Sequence, residues 1–284
     1  MDATSPWEAS LYSVDPSLHY MLWLYEMPTW LLAVLIVGVT ILVSLLGLYF
    51  SHRRLHGSRM ATLIDNGTVG WFFSGVTVLY GLTLGLLTIA TWQNYSDASS
   101  IASQEAATLA VLYRDLSGYP DTVSQPLQQE LRGYTEFIVR KSWPAQRLGM
   151  ANDTERKVLT KFQLGLLHTE VETGSLQVLH GEAIETFNKL VELRRQRIES
   201  ISSGVPAVLW SVVLIGALIT IAFSYCFVVD SLPFHALLTG LLAFMVGLMI
   251  FLIAALDHPY LGEVSVTADA YQVVLDKVMV PEGN

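Results

Sequence analysis

The sequence predicts an all-α, polytopic membrane protein with four transmembrane helices and a helical extramembrane bundle inserted between the second and third spans. Charged residues make up only 14% of the 284 residues, whereas about 25% is usual for a soluble domain. The mean hydropathy is +0.46. Four apolar runs without Asp, Glu, Lys or Arg reach the roughly 20 residues that a membrane-spanning helix requires: 29–50, 69–92, 205–229 and 233–256.

Charge and cysteine content exclude several classes of protein. The formal net charge is −9, so the chain lacks the basic surface that nucleic-acid binding requires. The single cysteine, Cys226, excludes an internal disulfide framework and a cysteine-ligated zinc site. His52 and His56 have a helical metal spacing, but three arginines stand beside them, so we interpret them as a solvated pair.

Sequence signatures of catalysis are missing as well. The sequence contains no glycine-rich phosphate loop, nucleophile elbow or zinc-protease histidine pair. We therefore expect a protein that is not an enzyme and that needs no cofactor or metal.

The segment before the first run, residues 1–28, is an acidic tail without Lys or Arg. Asp15 and Pro16 form a helix-start signal, and the residues that follow are rich in aromatic side chains: Tyr20, Trp23, Tyr25 and Trp30. Aromatic rings favour the headgroup region of a bilayer. The tail is therefore predicted to contain a short interfacial helix, with an irregular tail as the alternative.

Residues 93–204 are predicted to form the extramembrane domain. No helix breaker follows the second run, so one helix is predicted to extend from Val69 to Ser117. Ser124 and Pro126 are predicted to open the next helix, which ends where Trp143 meets Pro144.

Two further helices complete the predicted domain. One follows Asn152–Asp153, and the last extends from about 175 to 203, with apolar residues on one face. In the C-terminal tail, 257–284, only the alternation at 263–267 resembles a strand.

Charges near the run ends predict the orientation. Lys and Arg concentrate in cytoplasmic loops, and the connection between the first two runs contains Arg53, Arg54 and Arg59. We therefore expect this connection in the cytoplasm of a bacterial plasma (inner) membrane, with the termini and the insert on the other side. A basic group before the third run favours the opposite orientation: Lys189, Arg194, Arg195 and Arg197.

One face of the second run consists of small or hydroxylated residues three or four apart, here called the small face: Gly70, Ser74, Thr77, Gly81, Gly85 and Thr88. Such a face allows another helix to approach closely, and plain packing is the alternative to function. In an oligomer built around this run, the hydroxyls and carbonyls would offer an ion several weak ligands. We therefore predict that the small face lines a pore, and that Trp71, Phe72 and Phe73 supply a dry constriction.

The lack of charge inside the runs separates classes of transport protein. Proton-coupled carriers need an ionisable residue at membrane depth. Here the ionisable candidates lie only at the edges of the runs: Asp97, Glu105, Asp230, His235, Asp257 and His258. This pattern disfavours a proton-coupled carrier and leaves a passive channel or a non-conducting scaffold.

Three blocks from the second run onward resemble the bacterial bestrophin-like domain family of four-helix membrane proteins: WQNYSDASSIASQEAATLAVLYRDLSGYP, LRGYTEFIVRKSWPA and ALDHPYLGEVSV. The motif positions are Glu105, Ala106, Tyr134, Trp143, Pro144, Asp257, Pro259 and Gly262. Bestrophins are pentameric anion channels with a pore lined by the second span, so the resemblance implies an anion path along the small face. It also implies a cytoplasmic insert, opposite to the orientation that the first-loop arginines predict. Where bestrophins have an arginine-rich, double-aromatic stretch, this chain has TWQNYSDAS.

Together these observations predict a homo-oligomer in a lipid membrane that conducts small ions passively and binds no nucleic acid. Two alternatives stay open: a carrier of small solutes, and a sensor or scaffold whose insert binds a partner. Glu105 follows the second run in a stretch with a small residue at every fourth position. We expect its carboxylate to pair with a basic residue of the insert, Arg114 or Arg132, rather than to be a solvated acid.

Overall fold

A computed structural model describes Trp23, Tyr25 and residues 27–55, 64–151, 154–170 and 174–280. Regular secondary structure in these residues is entirely helical, which confirms the predicted all-α class. The predicted interfacial helix within 1–28 and the residues His56 and Arg59 lie outside the described residues, except for the few positions named above.

The helices are labelled here in chain order. They are α1 (Thr29–Leu55), α2 (Asn66–Leu116), α3 (Asp121–Phe137), a π-helical turn (Ile138–Ser142), α4 (Trp143–Gln146), α5 (Thr154–Leu167), α6 (Gly174–Ile201), α7 (Ala207–Ser224), α8 (Leu232–Leu256) and α9 (Asp269–Lys277).

The helices α1, α2, α7 and α8 are long and apolar enough to cross a membrane. Each of them contains most of one predicted run, and α7 is the one that is clearly shorter than its run. The helix α7 ends at Ser224, before the predicted end at Val229. Val228 has left the helix, because its N–H and C=O both bond to the side-chain amide of Asn66, at 2.9 and 2.8 Å.

The helix α2 is continuous over 51 residues, which at 1.5 Å per residue is about 76 Å. This confirms the single helix predicted to extend beyond the second run. The carboxylate of Asp65 caps its start, accepting hydrogen bonds from the N–H groups of Gly67 and Thr68 at 3.2 and 2.9 Å.

The chain divides into two compact units. The span unit comprises the described parts of Leu24–Gln93 together with Gly204–Asp257. The bundle unit comprises Trp23 and the described parts of Asn94–Ser203 and of His258–Asn284.

Glycines allow the helices of the span unit to pack closely. A Cβ added to Gly247 of α8 would lie 3.1 Å from the Cα of Val37 in α1. A Cβ added to Gly216 of α7 would lie 2.5 Å from the ring of Tyr80 in α2. The hydroxyl of Tyr80 donates to the carbonyl of Val213 at 2.9 Å, which fixes α2 against α7.

The bundle unit has its own apolar core. The C-terminal half of α2 contributes alanines at every fourth position and then leucines, all with at most 1% exposure: Ala98, Ala102, Ala106, Leu109, Leu112 and Leu116. Small residues followed by leucines let α3 and α6 approach α2, so burial of this face stabilises the bundle.

Two predicted helix boundaries are wrong. The helix α3 begins at Asp121, not at Ser124–Pro126, because the carbonyl of Pro120 already accepts hydrogen bonds from Val123 and Ser124, both at 2.9 Å. Pro126 is tolerated near the helix start, where few N–H groups have helical partners.

The helical path also continues through Trp143–Pro144. The π-helical turn Ile138–Ser142 leads directly into α4, so Pro144 falls in the first turn of α4, and the wider π-helical turn before it accommodates a residue without an N–H. The chain leaves the helix at Gly149, which has φ 71° and adopts the left-handed conformation that favours glycine.

The strand suggested by 263–267 does not form in the described residues. The N–H of Val266 instead donates to the carbonyl of Pro259 at 2.8 Å, which closes a local turn. Gly262 lies in this turn with φ 81°.

Candidate functional site

The small face of α2 lies beside the surface with which α2 packs in its own chain. Tyr80 and Leu84 are buried against α7. Because successive helical residues are about 100° apart, the small face occupies an adjoining sector of the helix. Ser74 and Gly81 are exposed, and the other four small-face residues are half-buried.

The hydroxyls of the small face bond within α2. Ser74 donates to the carbonyl of Gly70 at 2.8 Å, and Thr88 donates to that of Leu84 at 2.8 Å. Thr77 donates to the carbonyl of Phe73. No side chain of another described helix is needed to satisfy these hydroxyls, and their oxygens keep free lone pairs.

The aromatic trio is not brought together. Trp71 and Phe72 are 84% and 67% exposed, whereas Phe73 packs edge-on against Phe227, with ring centroids 5.5 Å apart. The three residues are consecutive on a helix, so they point in directions about 100° apart. Within one chain they do not form a common surface beside the small face.

A group of four buried charged residues, here called the charge cluster, lies in the bundle unit: Glu105 (α2), Glu155 (α5), Arg194 and Arg197 (α6). Arg197 Nε lies 2.7 Å from Glu105 Oε2, and Arg197 Nη2 lies 2.9 Å from Glu155 Oε2. Arg194 Nε lies 3.1 Å from the same Glu155 oxygen. Two positive charges thus balance two negative charges in a buried site.

Aromatic side chains surround the charge cluster. The hydroxyls of Tyr271 and Tyr134 donate to the two oxygens of Glu105, at 2.9 and 3.4 Å. The guanidinium carbon of Arg197 lies 5.7 Å from the ring centroid of Trp143. The indole N–H of Trp143 donates to the carbonyl of Val266 at 3.1 Å. The cluster therefore joins α2, α3, α4, α5, α6 and α9.

The mutual pairing sets the ionisation of these groups. Burial disfavours the charged form of Glu155, but Arg197 and Arg194 outweigh burial and hold its pKa below the ordinary value. Burial likewise opposes charge on Arg197, while Glu105 and Glu155 keep its pKa well above the ordinary value. Burial and the charge of Glu105 raise the pKa values of Tyr134 and Tyr271 well above those of free phenols, so both remain donors at neutral pH.

The predicted partner of Glu105 is corrected by the structure. Glu105 pairs with a basic residue of the predicted insert, but this residue is Arg197 and not Arg114 or Arg132. Arg132 instead lies 3.2 Å from Glu136 and donates to the carbonyl of Met279 at 2.9 Å. Glu136 is one turn away on the same helix, so it is the nearer partner.

The sequence analysis missed Glu155, Arg197 and Tyr271 as members of this site. A signal existed in the helical periodicity. Arg197 follows Leu190 by seven residues, and Glu155 precedes Leu159 by four and Phe162 by seven. A charge on the apolar face of an amphipathic helix indicates a buried, paired charge.

The remaining motif positions hold segments of the backbone in place. Asp257, in the span unit, accepts from the Val205 N–H at 2.5 Å and from the Trp210 indole N–H at 3.2 Å. It thereby ties the end of α8 to the start of α7. In the bundle unit, Pro259 and Gly262 shape the turn described above, and the carbonyl of Gly262 accepts from Arg147 at 3.2 Å.

The described residues contain no group of three or more His, Cys, Asp or Glu side chains suited to a metal ion. The acidic side chains of the charge cluster are already neutralised by arginines, so the cluster is not a cation site.

Comparisons with known proteins place the chain in a family. The sequence matches the family model of the bestrophin-like domain over residues 38–271. No curated protein matches the chain. Two crystal structures of a bacterial bestrophin homologue from Klebsiella pneumoniae superpose with TM-scores of 0.64 and 0.63, each at 11% identity and covering 86% of this chain and 97% of the homologue.

At 11% identity the structural likeness is one of fold. The family match covers most of the chain, and four of its helices have the length and composition of membrane spans. The chain is therefore a multi-pass membrane protein and belongs to the bestrophin-like domain family.

Proposed function

We propose that the protein is a homo-oligomeric ion channel of the bacterial plasma membrane, with passive conduction along a path lined by the small face of α2. This face would meet the corresponding faces of other copies around a central axis. In this arrangement the protein acts as a pore and not as an enzyme.

The observation that carries the proposal is the open space beside the small face. Glycines at three helix contacts are filled: Tyr225 packs onto Gly47, Tyr80 onto Gly216, and Val37 onto Gly247. Gly81 and Gly85 have no atom within 4 Å of an added Cβ, and the same is true of Gly38, Gly75 and Gly240 elsewhere on the spans. Small faces exposed to lipid would forgo the van der Waals contacts that hold membrane helices together, so a second helix or an aqueous path belongs there.

The residues of the small face have distinct roles in the proposed path. Gly81 and Gly85 would expose backbone carbonyls and leave room for an ion. Ser74, Thr77 and Thr88 would supply hydroxyl oxygens as weak ligands, and rotation away from the helix carbonyl would present the hydroxyl hydrogen to an anion. We take the ion to be an anion because of the family.

The proposal keeps only part of the predicted aromatic constriction. Phe73 already packs against Phe227, so it is held by its own chain. Trp71 and Phe72 are the exposed members of the trio. Contacts between copies would be needed to bring these two side chains to the path.

For the orientation, we propose that the connection containing Arg53 and Arg54 is cytoplasmic, as the positive-inside rule requires for a short basic loop. Arg54 is exposed, and the guanidinium of Arg53 lies over the ring of Tyr49 at 5.3 Å. Both charges lie in the last turn of α1, where they would meet anionic headgroups. The bundle unit would then face away from the cytoplasm.

Ion flux into liposomes containing the purified protein tests the proposal. A passive channel gives flux that grows with the ion gradient without saturating, and current in discrete single-channel steps. Saturable flux without such steps would identify a small-solute carrier instead. Liposomes that carry the assembled protein without any current would identify a sensor or scaffold.

A further inference from the structure

Three hydroxyls of the span unit lack the hydrogen bond that other span hydroxyls make. Eight Ser and Thr side chains of the spans donate to a carbonyl of the preceding turn: Thr40, Ser74, Thr77, Thr83, Thr88, Thr91, Ser211 and Ser224. The hydroxyls of Thr220 and Thr239 have no hydrogen-bond partner, and that of Ser44, which lies beside the Tyr225 hydroxyl, makes no bond to the preceding turn, although these three residues are only 0%, 1% and 0% exposed. In an apolar interior such hydroxyls are costly unless a ligand satisfies them.

These hydroxyls lie at one level of the span unit. Gly247 of α8 packs against Val37 of α1, and the Tyr225 hydroxyl, just before α8, donates to the carbonyl of Ser44 at 2.8 Å. The helices α1 and α8 are therefore antiparallel. From the contact between Val37 and Gly247, seven residues along α1 lead to Ser44 and eight residues back along α8 lead to Thr239, which brings the two to about the same level.

His235 connects the third helix to this level. Its Nε2 lies 2.9 Å from the carbonyl of Ser224 in α7. Thr239 is one turn beyond His235 on α8, and Thr220 is one turn before Ser224 on α7. The helices α7 and α8 are consecutive spans joined by a short loop. The steps from Ser224 to Thr220 and from His235 to Thr239 therefore both lead away from that loop. Thr220 and Thr239 thus lie at the same level as Ser44.

The hydrogen bond to the carbonyl of Ser224 also determines which ring nitrogen of His235 carries the hydrogen. A carbonyl oxygen only accepts, so Nε2 carries the hydrogen. The other ring nitrogen, Nδ1, is buried and has no partner. Neutral His235 presents a lone pair there, and protonated His235 presents an N–H donor.

The available charges select the ligand. The four predicted runs contain no Asp, Glu, Lys or Arg, so a cation at this level would meet no negative charge. The one group of the site that can gain a charge is His235, and it can become only positive. Three hydroxyl hydrogens and a protonated Nδ1 together suit an anion.

We propose that Ser44, Thr220, Thr239 and His235 form an intramembrane site that binds one small monovalent anion, such as chloride or bromide, together with one proton. The anion accepts hydrogen bonds from the three hydroxyls, and the proton resides on Nδ1 of His235. The bound pair is neutral, which lowers the cost of burying each ion. The site lies between α1, α7 and α8, so it does not depend on the proposed path along α2.

The described residues of the span unit contain other ionisable groups. The hydroxyl of Tyr225 donates to the carbonyl of Ser44, and that of Tyr80 on α2 donates to the carbonyl of Val213. Tyr49 at the end of α1 is exposed, and so are Cys226 and Asp230 in the connection between α7 and α8. His52 on α1 is half-buried and lies near the level of His235, so it is the second imidazole of the span unit in the described residues. The His235→Gln variant separates the contribution of His235 to the pH dependence from that of His52.

Thermal unfolding of the purified full-length protein in detergent tests the site. Bromide is compared with gluconate at equal ionic strength, at about pH 5.5 and about pH 8, on either side of the range in which imidazoles titrate. We expect bromide to raise the unfolding temperature at the lower pH and not at the higher, because a ligand that binds only the folded state stabilises it.

Variants of nearly equal shape test whether stabilisation by bromide depends on the residues of the proposed site. Thr220→Val and Thr239→Val each remove one hydroxyl and should weaken the apparent bromide affinity by about tenfold or more. His235→Gln keeps a donor for the Ser224 carbonyl but cannot become positive, so bromide should not stabilise it at either pH. Thr83→Val is the matched control, because that exposed hydroxyl donates to Leu79 within α2; it should respond to bromide as the unmodified protein does.

Two results would overturn the proposal even if a variant failed to fold. One is an unmodified protein whose unfolding temperature is the same in bromide and gluconate at both pH values, which would mean that only water occupies the site. The other is a crystal grown in bromide at about pH 5.5 that shows no anomalous peak between Ser44, Thr220 and Thr239.

Discussion

Arg197 Nε lies 2.7 Å from Glu105 Oε2, and both side chains are fully buried although 92 residues separate them in the chain. The pair joins α2 to α6 in the centre of the bundle unit. Removal of one partner leaves the other as an uncompensated buried charge, which typically costs about 3–5 kcal/mol.

Glu105→Gln should therefore destabilise the protein by several kcal/mol, because Arg197 retains its charge and loses its shortest partner. The amide can still accept a hydrogen bond from Tyr271, so the loss of stability comes from the broken ion pair and not from the tyrosine. Thermal unfolding of the purified protein measures the effect, with Glu192→Gln as control. Glu192 pairs with Arg195 at 3.0 Å on the exposed side of α6, so its loss should leave the unfolding temperature unchanged. Equal behaviour of the two variants would contradict the role of Glu105.

Acid should weaken the bundle unit through Glu155. Its pKa in the folded protein lies below the ordinary value of 4.5, so the unfolded chain binds a proton more readily. The contribution of Glu155 to stability is complete above pH 4.5 and is lost as the pH falls through the lower pKa of the folded state.

Unfolding temperatures of the unmodified protein and of Glu155→Gln should consequently converge as the pH falls below that value. Near neutral pH the variant should be less stable, because Arg194 and Arg197 then share one carboxylate instead of two. Curves that stay parallel over the whole acid range would show that Glu155 does not carry this dependence.

Cysteine labelling on intact cells tests the proposed orientation. Gln125 is exposed in α3, whereas the nearby Ser124 is buried and would react poorly. Gln125→Cys in a Cys226→Ala background should react with an impermeant reagent, because the bundle unit is proposed to face away from the cytoplasm. Ser58→Cys in the same background should react only after the cells are opened. The reverse pattern would place the bundle unit in the cytoplasm.

The spans could be predicted because each is a long run without charge, a property that needs no knowledge of distant contacts. The extension of α2 could be predicted for a similar local reason, since no Gly or Pro interrupts it before Gly118. The boundaries around Pro126 and Pro144 could not. Whether a proline ends a helix depends on its position relative to the first turn and on the π-helical turn before it.

The charge cluster illustrates what sequence alone does not contain. Glu105 stood out as a carboxylate in a small-residue stretch, but its partner depends on how α6 packs across α2. In the sequence, Arg197 is one of several basic residues before the third run, and such a group favours an orientation in the membrane. Only the fold shows that it is fully buried.

The small face is an intermediate case. Its periodicity is visible in the sequence, yet the sequence does not reveal whether the face is filled by a helix of the same chain. The fold shows Tyr80 and Leu84 in that contact and leaves Gly81 and Gly85 open. It also separates Phe73 from Trp71 and Phe72, because consecutive helical residues diverge.

The most direct test of the proposed path is ion flux and oligomer size measured on the same preparation of Thr77→Leu. The added bulk lies on the small face, so flux should fall to the level of empty liposomes while the oligomer stays intact. Thr83→Leu is the matched control: Thr83 is an exposed threonine elsewhere on α2 that also bonds to its own helix, and this variant should conduct normally. An intact Thr77→Leu oligomer with normal flux, or one that dissociates while Thr83→Leu does not, would show that the small face does not line a path.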